Sequence, residues 1–138
     1  MGRSVRDAMT TDPTGVEPTT PIVEVARKMK QEDVGSLPIV EGGRLVGIIT
    51  DRDITITVVA EGKDAQTTRA IEVASTDLVT IDPDQDLDEA LRLMAQHQVR
   101  RLPVVEEDGK LVGIIAQADV AEHAEPAEVG QAVEQISE

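Results

Sequence analysis

The sequence predicts an α+β fold with α/β-type layers, made of two copies of a unit that runs strand, helix, strand, strand, helix. Three observations predict it. Residues recur at a near-constant spacing, the apolar period switches between helical and extended in the same order in both copies, and every apolar run falls far short of the roughly 18 residues that a membrane span needs.

The repeat comes first because it aligns everything else. Met29 over Met94, Val34 over Val99, Leu37-Pro38-Ile39-Val40 over Leu102-Pro103-Val104-Val105 and Pro18 over Pro83 share an offset of 65 (94 minus 29). The offset grows to 66 (113 minus 47) beyond the loops Glu41–Arg44 and Glu106–Lys110, because the second loop is one residue longer. Gly47-Ile48-Ile49-Thr50-Asp51-Arg52-Asp53-Ile54 then matches Gly113-Ile114-Ile115-Ala116-Gln117-Ala118-Asp119-Val120, with Thr50 replaced by Ala116 and the final Asp kept.

In the first copy, Val5 to Met9 leads into a turn-rich stretch with Asp12-Pro13 and Gly15, then an extended piece at Val16. Ile22, Val25, Ala26 and Met29 recur at helical spacing, which predicts a helix over Pro21–Glu32 with Thr20 as its cap and Pro21 in the first helical position. Leu37–Val40 and Leu45–Ile49 are β-branched runs joined at Gly42-Gly43, the pattern of a hairpin. A second helix is expected over Asp51–Ala60, stopped by Gly62. The second copy predicts a strand at Val79–Ile81, a helix over Asp86–His97, strands at Leu102–Val105 and Leu111–Ile115, and a helix over Gln117–His123. A three-stranded sheet of this size has one face it cannot bury alone, and two copies can bury it together. The expected organisation is residues 1–62 as the first repeat, 63–69 as a polar linker, 70–125 as the second repeat and 126–138 as a tail. Val129, Val133 and Ile136 lie at helical spacing in that tail and predict a short helix.

Composition narrows the function. With 138 residues, 40 % of them hydrophobic, the chain suits one compact domain or two small halves sharing a core. It has no Phe, Tyr or Trp, so the core is aliphatic and a bound ring must stack on aliphatic or guanidinium surface. The absence of Cys removes disulfides, thiolate metal sites and cysteine nucleophiles. That absence fits a reducing compartment, and the first residues lead into no signal-peptide-like apolar region, so a cytoplasmic location is expected. A net charge of -14 argues against nucleic acid as a partner, because phosphate-backbone binding needs Lys and Arg. Against that acidic background Arg100-Arg101 and Arg52 stand out as anion contacts, the plainer reading of each being surface solubility.

Thr50 to Asp53 carries two readings that can coexist. As a capping box, the Thr hydroxyl and the acid satisfy backbone donors at a helix start. As a ligand site, the helix start offers unpaired N–H groups to a phosphate while the Asp accepts hydrogen bonds from ribose hydroxyls. Ala116 cannot cap through its side chain, yet Asp119 is kept, and an acid in a first turn has its own use there.

Catalytic readings find little support. His97 and His123 are the only histidines, and neither has a His or Cys at ligand spacing. The acidic runs Asp82–Asp86 and Glu106–Asp108 are explained by helix starts and hairpin solvation, Ser4 and Ser75 lack an activating base, and Met1, Met9, Met29 and Met94 read as core or lead-in residues. No catalytic or metal residue is assigned.

From Val5 to His123 the chain resembles a tandem pair of cystathionine-β-synthase (CBS) domains, a Bateman module. Val5-Arg6-Asp7-Ala8-Met9, Leu37-Pro38-Ile39-Val40, Leu102-Pro103-Val104-Val105 and Gly47–Asp53 carry the resemblance. Val99-Arg100-Arg101-Leu102-Pro103 is similar to small stand-alone pairs of the hypoxic-response type. The resemblance implies two CBS repeats related by a pseudo-twofold axis, with clefts between them that bind AMP, ADP or ATP and, less often, NAD or S-adenosylmethionine. It places Thr50, Asp53, Arg52, Leu78, Val79, Val99, Arg100, Arg101 and Pro103 in a main nucleotide cleft. Thr14, Val34, Gly35, Ser36, Leu37, Pro38 and Asp119 would form a second, weaker one, because Ala116 lacks the hydroxyl and Gly35-Ser36 lacks an Arg. The expected function is a non-enzymatic adenosine-nucleotide sensor that requires no cofactor and forms a homodimer through helix faces. It would act on its own or an unidentified partner's conformation, with no nucleic acid or membrane involved. The alternative is a structural or interaction module with no physiological nucleotide.

Overall fold

A computed structural model describes residues 3–123. In chain order the elements are α1 (Val5–Ala8), β1 (Thr10–Thr11), α2 (Ile22–Glu32), β2 (Ser36–Glu41), β3 (Arg44–Thr50) and α3 (Asp51–Asp53), which continues as a π-helical segment over Ile54–Val59. They are followed by α4 (Ala70–Val73), α5 (Leu87–His97), β4 (Arg101–Val105), β5 (Leu111–Ala116) and α6 (Gln117–Ala121). The expected C-terminal helix lies outside the described residues.

These elements form two compact units that do not follow the two sequence copies. One unit is Thr14–Leu78; the other joins residues 3–13 to 79–123. In the first, β2 and β3 form a hairpin whose turn places Gly42 and Gly43 at φ 60 and 83, the left-handed conformations that a tight two-residue connection requires. Val16 adds to β2 as a single parallel bridge, and Ser75 adds to β3 through a reciprocal pair of 3.0 Å hydrogen bonds with Ile48. The second unit repeats the arrangement. Ile81 bridges β4, β4 pairs with β5, and β1 pairs with the other edge of β5 through Thr10↔Ile114 and Thr11↔Gly113. Both hairpins slip register at the same place, after Ile39 and after Val104. The strand expected over Val79–Ile81 is thus one bridge, and each sheet gains an edge partner from the segment that precedes the other copy.

Each unit has its own aliphatic core. Ile22, Val25, Leu37, Ile39, Ile49, Val58 and Ala70 fill one; Val5, Leu87, Ala90, Met94, Leu102, Val104, Ile115 and Val120 fill the other. Val5 therefore packs with the second copy and Ala70 with the first. The exchange brings chain close to two glycines. A Cβ on Gly113 would stand 2.7 Å from Met9 Sδ and 2.8 Å from the Thr10 carbonyl oxygen, whereas on Gly47 its nearest neighbour is the Ser75 carbonyl oxygen at 3.3 Å. Gly113→Ala should therefore cost about 1–3 kcal/mol in chemical denaturation, and Gly47→Ala less. An equal or larger loss at Gly47 would contradict this packing.

Two local expectations are corrected. Thr20 does not cap α2: its Oγ1 accepts the Glu17 N–H at 3.1 Å, and Pro21 stands at the cap position without a side-chain acceptor. The first N–H groups of α2 go instead to the carbonyls of Thr68 and Ala65, both at 2.9 Å, so the stretch 63–69 expected as a linker is fastened to the start of that helix. The helix expected over Asp51–Ala60 widens after one turn, with Ala60 N–H donating to the Thr55 carbonyl and Lys63 N–H to the Val58 carbonyl. Residues 54–59 are six consecutive β-branched side chains, which crowd the third and fourth neighbours of an α-helix; a wider turn relieves that crowding. No helix among the described residues is long and apolar enough to cross a membrane.

Candidate functional site

The strand registers decide which candidate residues are neighbours. In one unit Ser36 pairs with Thr50, and Asp51 N–H donates to the Gly35 carbonyl at 2.9 Å. In the other Arg101 pairs with Ala116, and Gln117 N–H donates to the Arg100 carbonyl at 2.8 Å. Each hairpin thus sets the start of its first strand beside the start of the helix that follows its second. Gly35 and Ser36 meet Thr50–Asp53; Arg100 and Arg101 meet Ala116–Asp119. The grouping implied by the family resemblance, Thr50 and Asp53 with Arg100 and Arg101, joins residues of different units.

The capping box at Thr50 is fully formed. Thr50 Oγ1 accepts the Asp53 N–H and Asp53 Oδ2 accepts the Thr50 N–H, both at 3.0 Å. The hydroxyl proton and the second carboxylate oxygen are left over by that geometry. The second copy keeps the carboxylate half: Ala116 N–H donates to Asp119 Oδ2 at 2.9 Å. The same reach from position i to i+3 closes the other two short helices, Ser4 N–H to Asp7 at 3.1 Å and Arg69 N–H to Glu72 at 2.6 Å. Hydrogen bonds from the Ser4 backbone N–H and then its hydroxyl hold the Asp7 carboxyl below its ordinary value of 3.8. The acids at all four helix starts are therefore structural first, and any ligand role at Asp53 or Asp119 is added to a cap.

The remaining candidates divide by exposure. Arg52, Arg100 and Arg101 are exposed, and among the described residues none of them forms an ion pair. Leu37, Pro38 and Pro103 are buried, Leu37 within its unit's core, while the Pro38 and Pro103 carbonyls accept N–H groups of Val16 and Ile81 at 3.0 and 3.1 Å. Those three hold the sheets together. Val34, Leu78, Val79 and Val99 are half-buried and Thr14 is exposed. Gln117, which sequence reasoning passed over, carries a shielded amide nitrogen with no hydrogen-bond partner. His123 Nδ1 lies 2.9 Å from the Asp119 carbonyl oxygen, and no group of three or more His, Cys, Asp or Glu among the described residues is placed to hold a metal ion.

A family model described as CBS domain matches residues 5–59 and 70–125. The CBS domain-containing protein YhcV of Bacillus subtilis is 50% identical over 118 residues, covering 86% of this chain and 83% of that protein. Hypoxic response protein 1 of Mycobacterium tuberculosis is 40% identical over 121 residues, covering 87% and 84%. Among solved structures, Hypoxic Response Protein I with two coordinated zinc ions is 39% identical at a TM-score of 0.80, covering 88% of this chain and 99% of that one. The CBS domain pair of protein MJ0100, in complex with 5-methylthioadenosine and S-adenosyl-L-methionine, is 26% identical at a TM-score of 0.75, covering 88% and 95%.

Proposed function

The chain belongs to the CBS-domain family as a tandem pair, and from that premise we propose that it is a non-enzymatic regulatory module whose ligand is an adenosine nucleotide of the AMP, ADP or ATP kind. The observation that carries the reading is the paired guanidinium group at Arg100 and Arg101. The two are exposed at the strand start that pairs with the beginning of α6, the helix that carries Asp119, and neither forms an ion pair among the described residues in a chain of net charge -14. A phosphate takes charge-assisted hydrogen bonds from guanidinium, and the Asp119 oxygen left over from its cap suits ribose hydroxyls. The adenosine ligands of the MJ0100 pair support the same chemical class.

On this reading the two sites differ in kind. The set around Thr50 and Asp53 has the hydroxyl and one cation, Arg52, and meets Gly35 and Ser36; the set around Asp119 has two cations, Arg100 and Arg101, but no hydroxyl at Ala116. Phosphate-bearing ligands belong with Arg100, Arg101 and Asp119, and Thr50 with Asp53 suits an adenosine ligand of lower charge, S-adenosylmethionine included. Binding biases the module between two conformations, and its bias equals the difference in affinity between them. Self-association as a homodimer is part of the proposal, supported by Ile56 and Val59, which stand 52% and 70% exposed on the π-helical segment.

The complete caps at Thr50 and Asp53 favour the second reading, a structural module without a physiological nucleotide. Isothermal titration with AMP, ADP, ATP, NAD and S-adenosylmethionine separates the two. Binding of at least one of them below about 1 mM is expected. No heat from any, which would mean less than about 4 kcal/mol of binding, leaves the structural reading standing.

A further inference from the structure

Residues 54–59 stand in a conformation that their own sequence does not favour. Ile54-Thr55-Ile56-Thr57-Val58-Val59 is β-branched at every position and alternates apolar with hydroxyl side chains over its first five, the period-two pattern of a strand. In the second copy the same places begin Val120-Ala121-Glu122-His123, where one residue in four is β-branched, and α6 is an ordinary α-helix.

Three contacts hold the segment helical. The capping box of Thr50 and Asp53 fixes its start, Thr55 Oγ1 donates to the Asp51 carbonyl at 3.0 Å, and Val58, 1% exposed, is seated in the core of its unit. Ile56 and Val59 face outward, exposed. The run holds no charge, no Pro and no Gly, and it is bracketed by Asp51-Arg52-Asp53 on one side and by Glu61 and Lys63 on the other. Charges so placed guard a strand-forming segment against pairing outside its own fold. A six-residue run of this composition pairs with identical copies of itself once extended, because its side chains interdigitate and every backbone group finds a partner in the chains above and below.

We propose that residues 54–59 are a latent strand, and that when local opening frees Val58 from the core the segment pairs in register with the same segment of a second copy of this chain. The proposal does not rest on the adenosine-ligand reading. It is tested on the full chain held a few degrees below its thermal midpoint, with thioflavin T following β assembly and limited proteolysis with mass spectrometry mapping the protected core. Assembly with a protected core that includes 54–59 is expected. Val59→Lys stacks like charges at the strand spacing of about 4.8 Å and should slow assembly by about tenfold or more. The added positive charge takes the net charge from -14 to -13 (-14 plus 1), which lessens the repulsion between whole chains, so the slowing cannot come from net charge. Each variant is held equally far below its own midpoint, which matches the opened fractions. Val59→Ile keeps a β-branched side chain and should assemble at least as fast as the wild type. Absence of assembly in the wild type, a protected core that leaves out 54–59, equal rates for Val59→Lys and the wild type, or slower assembly of Val59→Ile would each overturn the proposal.

Discussion

Met94→Ala is expected to lower stability by about 2–5 kcal/mol, with a fall in thermal midpoint of roughly 10 °C or more. Met94 is fully buried at the centre of the core that holds Leu87, Ala90, Leu102, Val104 and Ile115. Truncation there removes three heavy atoms of side chain from a close-packed setting in which neighbours relax only in part. The location of the damage matters more than its size. Val5 belongs to the same core although it stands at the head of the first sequence copy, and β1 pairs with β5. Hydrogen exchange followed by mass spectrometry should therefore show protection lost over residues 5–11 and 79–120, with 22–58 much less affected. Loss of protection spreading through 22–58 while 5–11 stays protected would mean that the lead-in segment packs with its own copy.

That exchange was hard to read from the chain for a physical reason. Val5–Met9 and Ala70–Ala74 share apolar residues at their first, fourth and fifth positions and an acid at the third, Asp7 and Glu72, so neither carries a mark of the core it enters. Local pattern sets the helix; the choice of core depends on where the rest of the chain can reach. The hairpins and the two long helices were legible because their signals are local: paired glycines, β-branched runs and a helical apolar stripe. The π-helical widening had a signal too, in six β-branched residues running from Ile54 to Val59, which an apolar-spacing argument treats as ordinary helix.

The grouping of site residues was also within reach of the sequence. A two-residue turn at Gly42-Gly43 pairs Glu41 with Arg44, and counting back from there places Ser36 opposite Thr50 once the single bulge is allowed for. The same count places Arg101 opposite Ala116. Register tells which residues share a neighbourhood within one hairpin, because a hairpin fixes its partners geometrically. What the count cannot give is the state of each group, such as the Thr50 hydroxyl accepting from its own helix or the Gln117 amide lacking an acceptor.

Replacing both Arg100 and Arg101 by Ala is expected to weaken AMP and ATP by about 10- to 100-fold. Both side chains are exposed and neither forms an ion pair among the described residues, so the thermal midpoint of the free protein should move little. This separates the variant from Met94→Ala, where stability falls first. The loss should shrink as salt rises from about 50 to 500 mM, since screening already weakens guanidinium–phosphate attraction in the wild type. 5′-Methylthioadenosine, without phosphate, should bind the variant as it binds the wild type, through groups the substitution leaves in place. If AMP affinity survives the double substitution, the phosphate is held elsewhere, and Arg52 beside Thr50 becomes the cation to remove next. A drop that is equal for AMP and methylthioadenosine would instead make the arginines supports for the nucleoside, with the guanidinium planes serving as the stacking surface that a chain without aromatic residues must find among its aliphatic and cationic side chains.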